Sequence, residues 1–421
     1  MAGDVPLLDA VAWAEGDGTH AFRILTRRDV DPAAVADGAP VTEVRPVAGA
    51  LLIAGRTPGS GPIPLPLSSG PATVDPAPAE WDLLAGRNCL LALRLEESVD
   101  TVADWLRYHA AHHDAEGAVI VNRAPPDSPE GSAEDFAEEL EEALFDCPGL
   151  VVVVLDSAVP LGKPGLGPES HAYLAPDAPG KDRMAVPAPD PWRAPLGEPL
   201  IFEACKWRFL ARARAVLALD VTDILTPAEG PSAFDLTAQA ENGVTMLVGH
   251  RIYPWRVRKG RRAAFGDHIC RPFDRRRGIA RWGVAPERAG LDNTWRGIRV
   301  SYARPDPGRT VAFLRAMAIR VPGYRAAELA PKTSLIEDPE LIALAALFEH
   351  DPVRPPVSAP RNAPARATHA GRTCIITTMK NEGPFILEWI AYHRAIGVND
   401  FLVYSNDCTD GTDAILDTLQ A

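Results

Sequence analysis

The chain has 421 residues, with 43 Lys and Arg against 56 Asp and Glu, for a formal net charge of −13. At roughly 100–200 residues per domain the length predicts two to four domains, and 46% hydrophobic with 24% charged residues excludes a wholly disordered chain, a collagen and a small disulfide scaffold. The net charge argues against a general nucleic-acid binder, and 41 prolines must gather in connectors or they would break the elements.

Residues 1–56 alternate apolar and polar side chains (VAWAEGDGTHAFRIL, VTEVRPV, ALLIAG), with Asp17-Gly18 between two such runs as a hairpin signal. They form a small β-rich segment. Its start has no basic n-region and no long apolar stretch, so no signal peptide is expected. Residues 57–86 concentrate proline and glycine and read as a linker.

From Cys89 the pattern changes. CLLALRL reads as a buried strand, VADWLRYHAAHH as an amphipathic helix and AVIVN as a second strand. SAEDFAEELEEALF reads as a helix with Ser132 as N-cap, Asp135 at the capping-box position and an apolar stripe at Phe136, Leu140 and Leu144. LVVVVLD is a third strand. This order predicts a parallel α/β sheet. Asp127 to Asp146 holds nine acids and no base. The stretch 158–199 is again rich in proline and glycine and reads as a long loop. Arg251 to Arg304 holds 15 Lys and Arg against four acids, a local charge of +11. There RIYPWRVRKGRR and RPFDRRRGIARW interleave arginine with Trp255, Phe273 and Trp282. Two readings stand: a site for an anionic acceptor or nucleotide diphosphate, gripped by guanidinium forks and aromatic faces, or a solvated basic face paired with the acidic 127–146 helix. Residues 351–371 read as an interdomain linker.

The six cysteines (89, 147, 205, 270, 374 and 408) show no C-x-x-C and no Cys/His metal spacing, so free thiols in a reducing cytoplasm are expected. No apolar run reaches about 18 residues, so no transmembrane segment is expected.

From Cys374 the chain repeats the pattern begun at Cys89. Placing Cys89 on Cys374 puts Glu97 on Glu382, and with one gap Trp105, Tyr108, His109 and Asn122 fall on Trp389, Tyr392, His393 and Asn406. The shared W-x-x-Y-H and the equal spacing to the next Asn point to duplication. The copies differ at the strand ends. The second has Lys380-Asn381-Glu382, Ser405-Asn406-Asp407 and Thr409-Asp410-Gly411-Thr412, where the first has Leu95-Glu96-Glu97, Val121-Asn122-Arg123 and then prolines. Open α/β sheets bind ligands at strand carboxyl ends.

TTMKNEGPFILEWIAYHRAIGV followed by YSNDCTDGT resembles the start of glycosyltransferases of the family-2 and family-92 type, which have the GT-A fold. The resemblance covers about fifty residues (374–412 and their flanks). It implies nucleotide-sugar binding by Lys380, Asn381, Glu382, Asn406 and Asp407, with Asp410 a helix cap or a further ligand. Trp389 and Ile386 read as core, and His393 as a packed histidine. FEACKWRFLARARAVLALDVTDIL resembles the later segment of such enzymes, in which a Lys-Trp helix precedes a metal-binding Asp-x-Asp. Asp220 fits the first aspartate, Thr222 stands where the second should be, and Asp223 follows. Asp220 and Asp223 are candidate ligands for the Mn²⁺ or Mg²⁺ the family uses, or else a turn pair.

The expected fold class is therefore α/β: a GT-A-like (Rossmann-like) mixed sheet flanked by helices over 87–350, degenerate as an enzyme, with a partial second GT-A unit over 372–421. The copy at 372–421 has only two strands, so the chain is expected to be an N-terminal piece of a longer protein. The expected function is transfer of a sugar from a nucleotide-sugar donor to a glycan such as a bacterial polysaccharide, or to another acceptor, with catalysis in the C-terminal copy and no nucleic-acid partner. The alternative is a non-catalytic accessory lobe that binds acceptor, nucleotide or partner.

Overall fold

The computed structural model describes residues 1–36, 38–126, 128, 133–169, 179–227, 230–273, 278–356 and 371–420. The chain divides into two units, Met1–Pro355 and Pro356–Ala421.

The first unit begins with strands β1 (Leu7–Ala14) and β2 (His20–Thr26), antiparallel across the Asp17-Gly18 turn. Gly18 takes φ +84°, and Asp17 Oδ1 accepts from the Thr19 amide at 3.0 Å. A positive φ at this corner is what glycine supplies without steric cost. β3 (Val41–Val47) and β4 (Ala50–Thr57) follow, then the short β5 (Ile63–Leu65), β6 (Ala72–Val74) and β7 (Ala77–Pro78). The sheet runs β3-β4-β2-β1-β7, so the proline-rich stretch 57–86 is not a free linker. It returns a strand to β1 and buries Ile63, Leu65, Leu67 and Val74 against Phe22, Ile24 and Leu51. Short strands whose apolar residues are separated by prolines hide this packing from sequence pattern.

The second layer is built on β8 (Asn88–Arg94), helix α1 (Val99–His113), β9 (Gly117–Asn122), helix α2 (Ala133–Ala143) and β10 (Val151–Asp156). All three strands are parallel, as expected. Ser132, the expected N-cap, lies outside the described residues, while Phe136, Leu140 and Leu144 are buried as a stripe. Next come helix α3 (Ile201–Cys205), β11 (Ala215–Ala218), β12 (Asp223–Leu225), β13 (Val244–Ile252), β14 (Cys270–Pro272), β15 (Ile279–Val284), β16 (Thr294–Arg296), β17 (Arg299–Ser301), β18 (Thr310–Ala316) and β19 (Leu335–Glu337). Eight of these strands form one mixed sheet in the order β10-β9-β8-β11-β15-β13-β18-β12. β8 to β11 are parallel, and β15 turns antiparallel to both β11 and β13. Strand alternation sorts the core. Leu90 and Ala92 face Trp105 and Leu106 of α1, while Cys89 and Leu91 face Phe202 and Cys205 of α3 and the inner side of the N-terminal sheet. Met1–Pro355 is thus one mixed α/β unit with a β layer packed on it. Trp13 of β1 stacks on Trp207 at 5.0 Å and 5°, and Arg208 pairs with Asp9.

The second unit has β20 (Cys374–Met379), a helix Gly383–Ala395, β21 (Asp400–Ser405) and a helix Thr412–Gln420. β20 and β21 are parallel, in register from Cys374–Asp400 to Met379–Ser405. Pro384 sits in the first helical turn, and Gly397 takes φ +103° just past the helix end.

Candidate functional site

In the second unit the loops after β20 and β21 meet at the carboxyl ends of the two strands. Asn381 and Asp407 both take left-handed backbone conformations, φ +57° and +54°. Asn and Asp visit this region more readily than other side chains because their short polar groups bond locally. Asn381 Oδ1 accepts from the Thr409 amide at 2.8 Å. Asp410 Oδ2 accepts from the Gly383 amide at 2.9 Å, and its Oδ1 accepts from the Thr412 amide at 3.0 Å and the Thr412 hydroxyl at 2.5 Å. The hydroxyl bond is the chief cause of the lowered Asp410 carboxyl pKa. Asn381 and Asp410 therefore stitch the two loops together. Lys380, Glu382, Asn406 and Asp407 remain exposed on that frame, with Lys380 Nζ 3.9 Å from Asp407 Oδ2. All six residues expected to bind nucleotide-sugar thus lie on one sheet edge, two of them as scaffold.

In the first unit, the W-x-x-Y-H residues have a structural task. Trp105 Nε1 donates to the Asp223 carbonyl at 2.5 Å and the Tyr108 hydroxyl donates to the Leu225 carbonyl at 2.7 Å. His109 Nδ1 donates to the Trp105 carbonyl, leaving Nε2 to accept from the Leu225 amide at 3.3 Å. Burial, with His113 nearby, pushes the His109 pKa down to about 3, so the ring is neutral and fixed in one tautomer. One helix face thereby pins β12, the strand that begins at Asp223. In the second unit the same local bond recurs, His393 Nδ1 to the Trp389 carbonyl at 2.8 Å, but Tyr392 is 61% exposed where Tyr108 is 3%.

Asp220 and Asp223 come together after β11, but they do not fit a cation site. Asp223 Oδ1 accepts from Arg315 Nε, and its Oδ2 from Arg315 Nη2, both at 2.7 Å. Asp220 Oδ2 accepts from Arg281 Nη2 at 2.6 Å and Arg315 Nη2 at 2.7 Å, with Arg320 Nη1 at 3.9 Å. Burial works to raise the Asp220 carboxyl, and Arg281, Arg315 and Arg320 override it and hold it well below the usual carboxylate range. A divalent cation would enter against three guanidinium groups and lose the two carboxylates they already engage. Among the described residues no group of three or more His, Cys, Asp or Glu is placed to hold a metal ion. The Lys-Trp helix is likewise a packing device. Lys206 is fully buried and donates to Glu203 at 2.9 Å and to the Asn293 carbonyl at 2.7 Å, while Glu203 accepts from Trp207 Nε1 and from the Trp295 amide.

Beyond the carboxyl end of β8 opens a cavity of about 940 Å³. Glu96 and Glu97 of the strand-end loop line it, together with Glu169, Arg193, Arg320 and the segment 255–263. Arg193 Nε donates to Glu96 at 2.8 Å, and Glu169 is clamped between Arg123 and Arg320. Glu97 Oε2 accepts from the Leu95 amide at 2.7 Å, and burial raises its carboxyl pKa. Asn122, which the expected repeat sets on Asn406, is buried, accepting from Arg94 and donating to Asp156. Sequence reasoning missed Glu169, Arg193 and Arg320. The first two lie in the proline-rich loop and the third outside the basic window, and no motif joins residues 151 positions apart.

The chain is thus a mixed α/β protein with a polar strand-end site in its second unit and a basic strand-end cavity in its first. A glycosyltransferase family 92 protein of Oryza sativa subsp. japonica is 28% identical over 109 residues, 24% of this chain and 19% of that protein. Family 92 proteins of Ricinus communis and Arabidopsis thaliana are 39% identical over 46 residues and 35% over 48, in each case 11% of this chain and 8% of the relative. The matches cover at most about a fifth of these curated relatives. No protein-family model matches the chain. The three relatives share the name glycosyltransferase family 92. All three relatives are plant proteins, so they lend nothing to the bacterial polysaccharide expected above. Among the described residues no helix is long and apolar enough to cross a membrane.

Proposed function

We propose that the protein transfers a sugar from a nucleotide-sugar donor to a glycan or other acceptor, with donor recognition in the unit Pro356–Ala421. The observation that carries this reading is the convergence of Lys380, Glu382, Asn406 and Asp407 on one strand-end frame, held by the Asn381–Thr409 and Asp410–Gly383 bonds. On this reading Glu382 and Asp407 accept from the hydroxyls and base of a nucleoside, and Lys380 meets its diphosphate as a point charge. The two units would then be tandem copies of a GT-A-type fold, the first of them eroded. Any Mn²⁺ or Mg²⁺ that neutralises the leaving diphosphate would need ligands other than Asp220 and Asp223.

The test is calorimetric titration of UDP and GDP into the protein, with Mn²⁺ and with EDTA. Binding that weakens at least about tenfold in Glu382→Gln and Asp407→Asn supports the reading. No binding under either condition, or binding indifferent to both substitutions, refutes it.

The arginine-filled aspartate pair favours a second reading for the first unit, an accessory lobe that holds acceptor, nucleotide or partner without turnover. Deleting residues 1–355 tests it. Unchanged activity on every acceptor rules the accessory role out.

A further inference from the structure

The basic segment 255–263 rims the first unit's cavity in a way that a solvated face does not explain. Arg261 donates its amide to the Arg258 carbonyl at 3.1 Å, and Gly260 between them takes φ +77°. This is a tight turn with glycine at the position that demands a positive φ. It gathers Arg256, Arg258, Lys259 and Arg261 on one lip of the cavity. Arg258 pairs with Asp351 at 2.7 Å. Arg256, Lys259 and Arg261 have no ion-pair partner among the described residues. Lys332 sits over the Trp255 ring at 4.6 Å, offering a further cation beside a flat apolar surface.

The acids that line the cavity do not offset this charge. Glu96 is held by Arg193, Glu169 by Arg123 and Arg320, and Glu97 is occupied by the Leu95 amide, with burial working against its charge. Cations crowded on a lip without counter-charge repel one another, an arrangement that destabilises the empty site and focuses anions into it. A space of about 940 Å³ lies in the range of small-molecule sites. Arginine forks match phosphate oxygens two at a time.

We propose that the first unit binds a small diphosphate-bearing molecule in this cavity without a divalent cation, with Arg256, Lys259 and Arg261 taking the place that a metal ion would fill. The disagreement at Asp220 and Asp223 fits this assignment. Those carboxylates are committed to arginines, one of which, Arg320, also reaches the cavity wall. The inference is independent of donor binding in the second unit, because the loss in Lys259→Ala/Arg261→Ala reads the charge lip alone.

Calorimetry on the whole chain in EDTA, with inorganic pyrophosphate as the probe, tests it. The expected result is saturable binding that weakens with added salt and at least about tenfold in Lys259→Ala/Arg261→Ala. Both side chains are exposed, so the fold should survive, and an unchanged melting temperature checks this. A parallel arm with UDP separates the sources. UDP tighter than pyrophosphate, with the same loss in the variant, assigns the diphosphate to a nucleotide, and UDP no tighter assigns it to a phosphorylated acceptor. Three results overturn the proposal: no pyrophosphate uptake in EDTA, uptake unaffected by Lys259→Ala/Arg261→Ala, or a short oligonucleotide that outcompetes pyrophosphate. Glu382→Gln in the second unit should leave pyrophosphate binding unchanged, so failure here and failure of donor binding are told apart.

Discussion

Replacing Asp223 by asparagine asks whether arginines hold the acidic turn after β11 together. The Asp223 side chain is fully buried, and it accepts two bonds from Arg315 and one from the Asp220 amide at 3.1 Å. Asparagine keeps the shape but removes the charge, and it turns an NH₂ toward a guanidinium or toward the amide. Breaking a buried ion pair on one side costs about 3–5 kcal/mol, because the partner charge stays buried. Arg315 keeps Asp220 at 2.7 Å, which places the expected loss at the lower end, about 3 kcal/mol. At about 2.1 cal/mol/K of unfolding entropy per residue, the unit Met1–Pro355 shifts by a little over 1 °C per kcal/mol, so the melting temperature should fall by about 4 °C. Scanning calorimetry of the intact chain measures it, once in EDTA and once in excess Mn²⁺. If arginines neutralise the turn, wild type melts alike in both buffers and Asp223→Asn melts lower in both. A bound cation at 100 times its dissociation constant would instead stabilise wild type by about 2.7 kcal/mol. That stabilisation, or a loss below about 1 kcal/mol in Asp223→Asn, would refute the reasoning.

Burial pushes the pKa of His109 down to about 3 and those of His113 and His268 to about 4. The unfolded chain then binds up to three more protons than the fold between about pH 4 and 6.5. Stability contributed by these rings is complete above about pH 6.5 and declines as pH falls toward 4, by at most about 4 kcal/mol per pH unit. Urea midpoints measured from pH 7 to 5 should drop, and a flat profile would sink the assignment. Tyr108→Phe leaves the Leu225 carbonyl unpaired and should cost about 1–3 kcal/mol, whereas Tyr392→Phe, at an exposed ring, should change stability by less than about 0.5 kcal/mol. Lys206→Met leaves Glu203 charged in the core and should cost about 3–5 kcal/mol by chemical denaturation. Near-neutrality there would mean that Glu203 takes up a proton instead.

What the sequence makes legible here is local. The Asp17-Gly18 hairpin, the β8–α1–β9 order and the apolar stripe of α2 each follow from periodicity and turn chemistry within some twenty residues. The six polar residues of the second unit's strand ends are legible for the same reason, since topology alone sends both loops to one edge. The aspartate pair is different. Asp220 and Asp223 stand in a motif-like run, but the partners that decide their chemistry, Arg281 and Arg315, come from β15 and β18, at separations of 61 to 95 residues. A net charge of −13 conceals the same kind of fact, because the uncompensated cations sit on one turn beside a cavity whose other wall comes from residues 95–101 and 318–332.

The two occurrences of W-x-x-Y-H separate architecture from activity. In the first unit, three groups of this motif bond to the backbone of β12, and the His109 ring serves only as a hydrogen-bond bridge between helix and strand. The motif's recurrence around Trp389 and Tyr392 is therefore an argument for a shared strand-helix-strand frame, and carries no information about chemistry. The strand-end residues, where the two units differ, carry that information. Glu382 and Asn406 are exposed in the second unit, whereas Glu97 bonds the backbone beside it and Asn122 is sealed between Arg94 and Asp156. Hydroxyl and base recognition by an Asn needs its amide free, so a nucleoside held through a free Asn amide cannot use Asn122. If the first unit takes a nucleotide at all, the grip must come from the diphosphate end. Adenosine and uridine, which lack phosphates, should then fail to compete with pyrophosphate for the first unit's cavity, and competition by either would refute a grip at the diphosphate end.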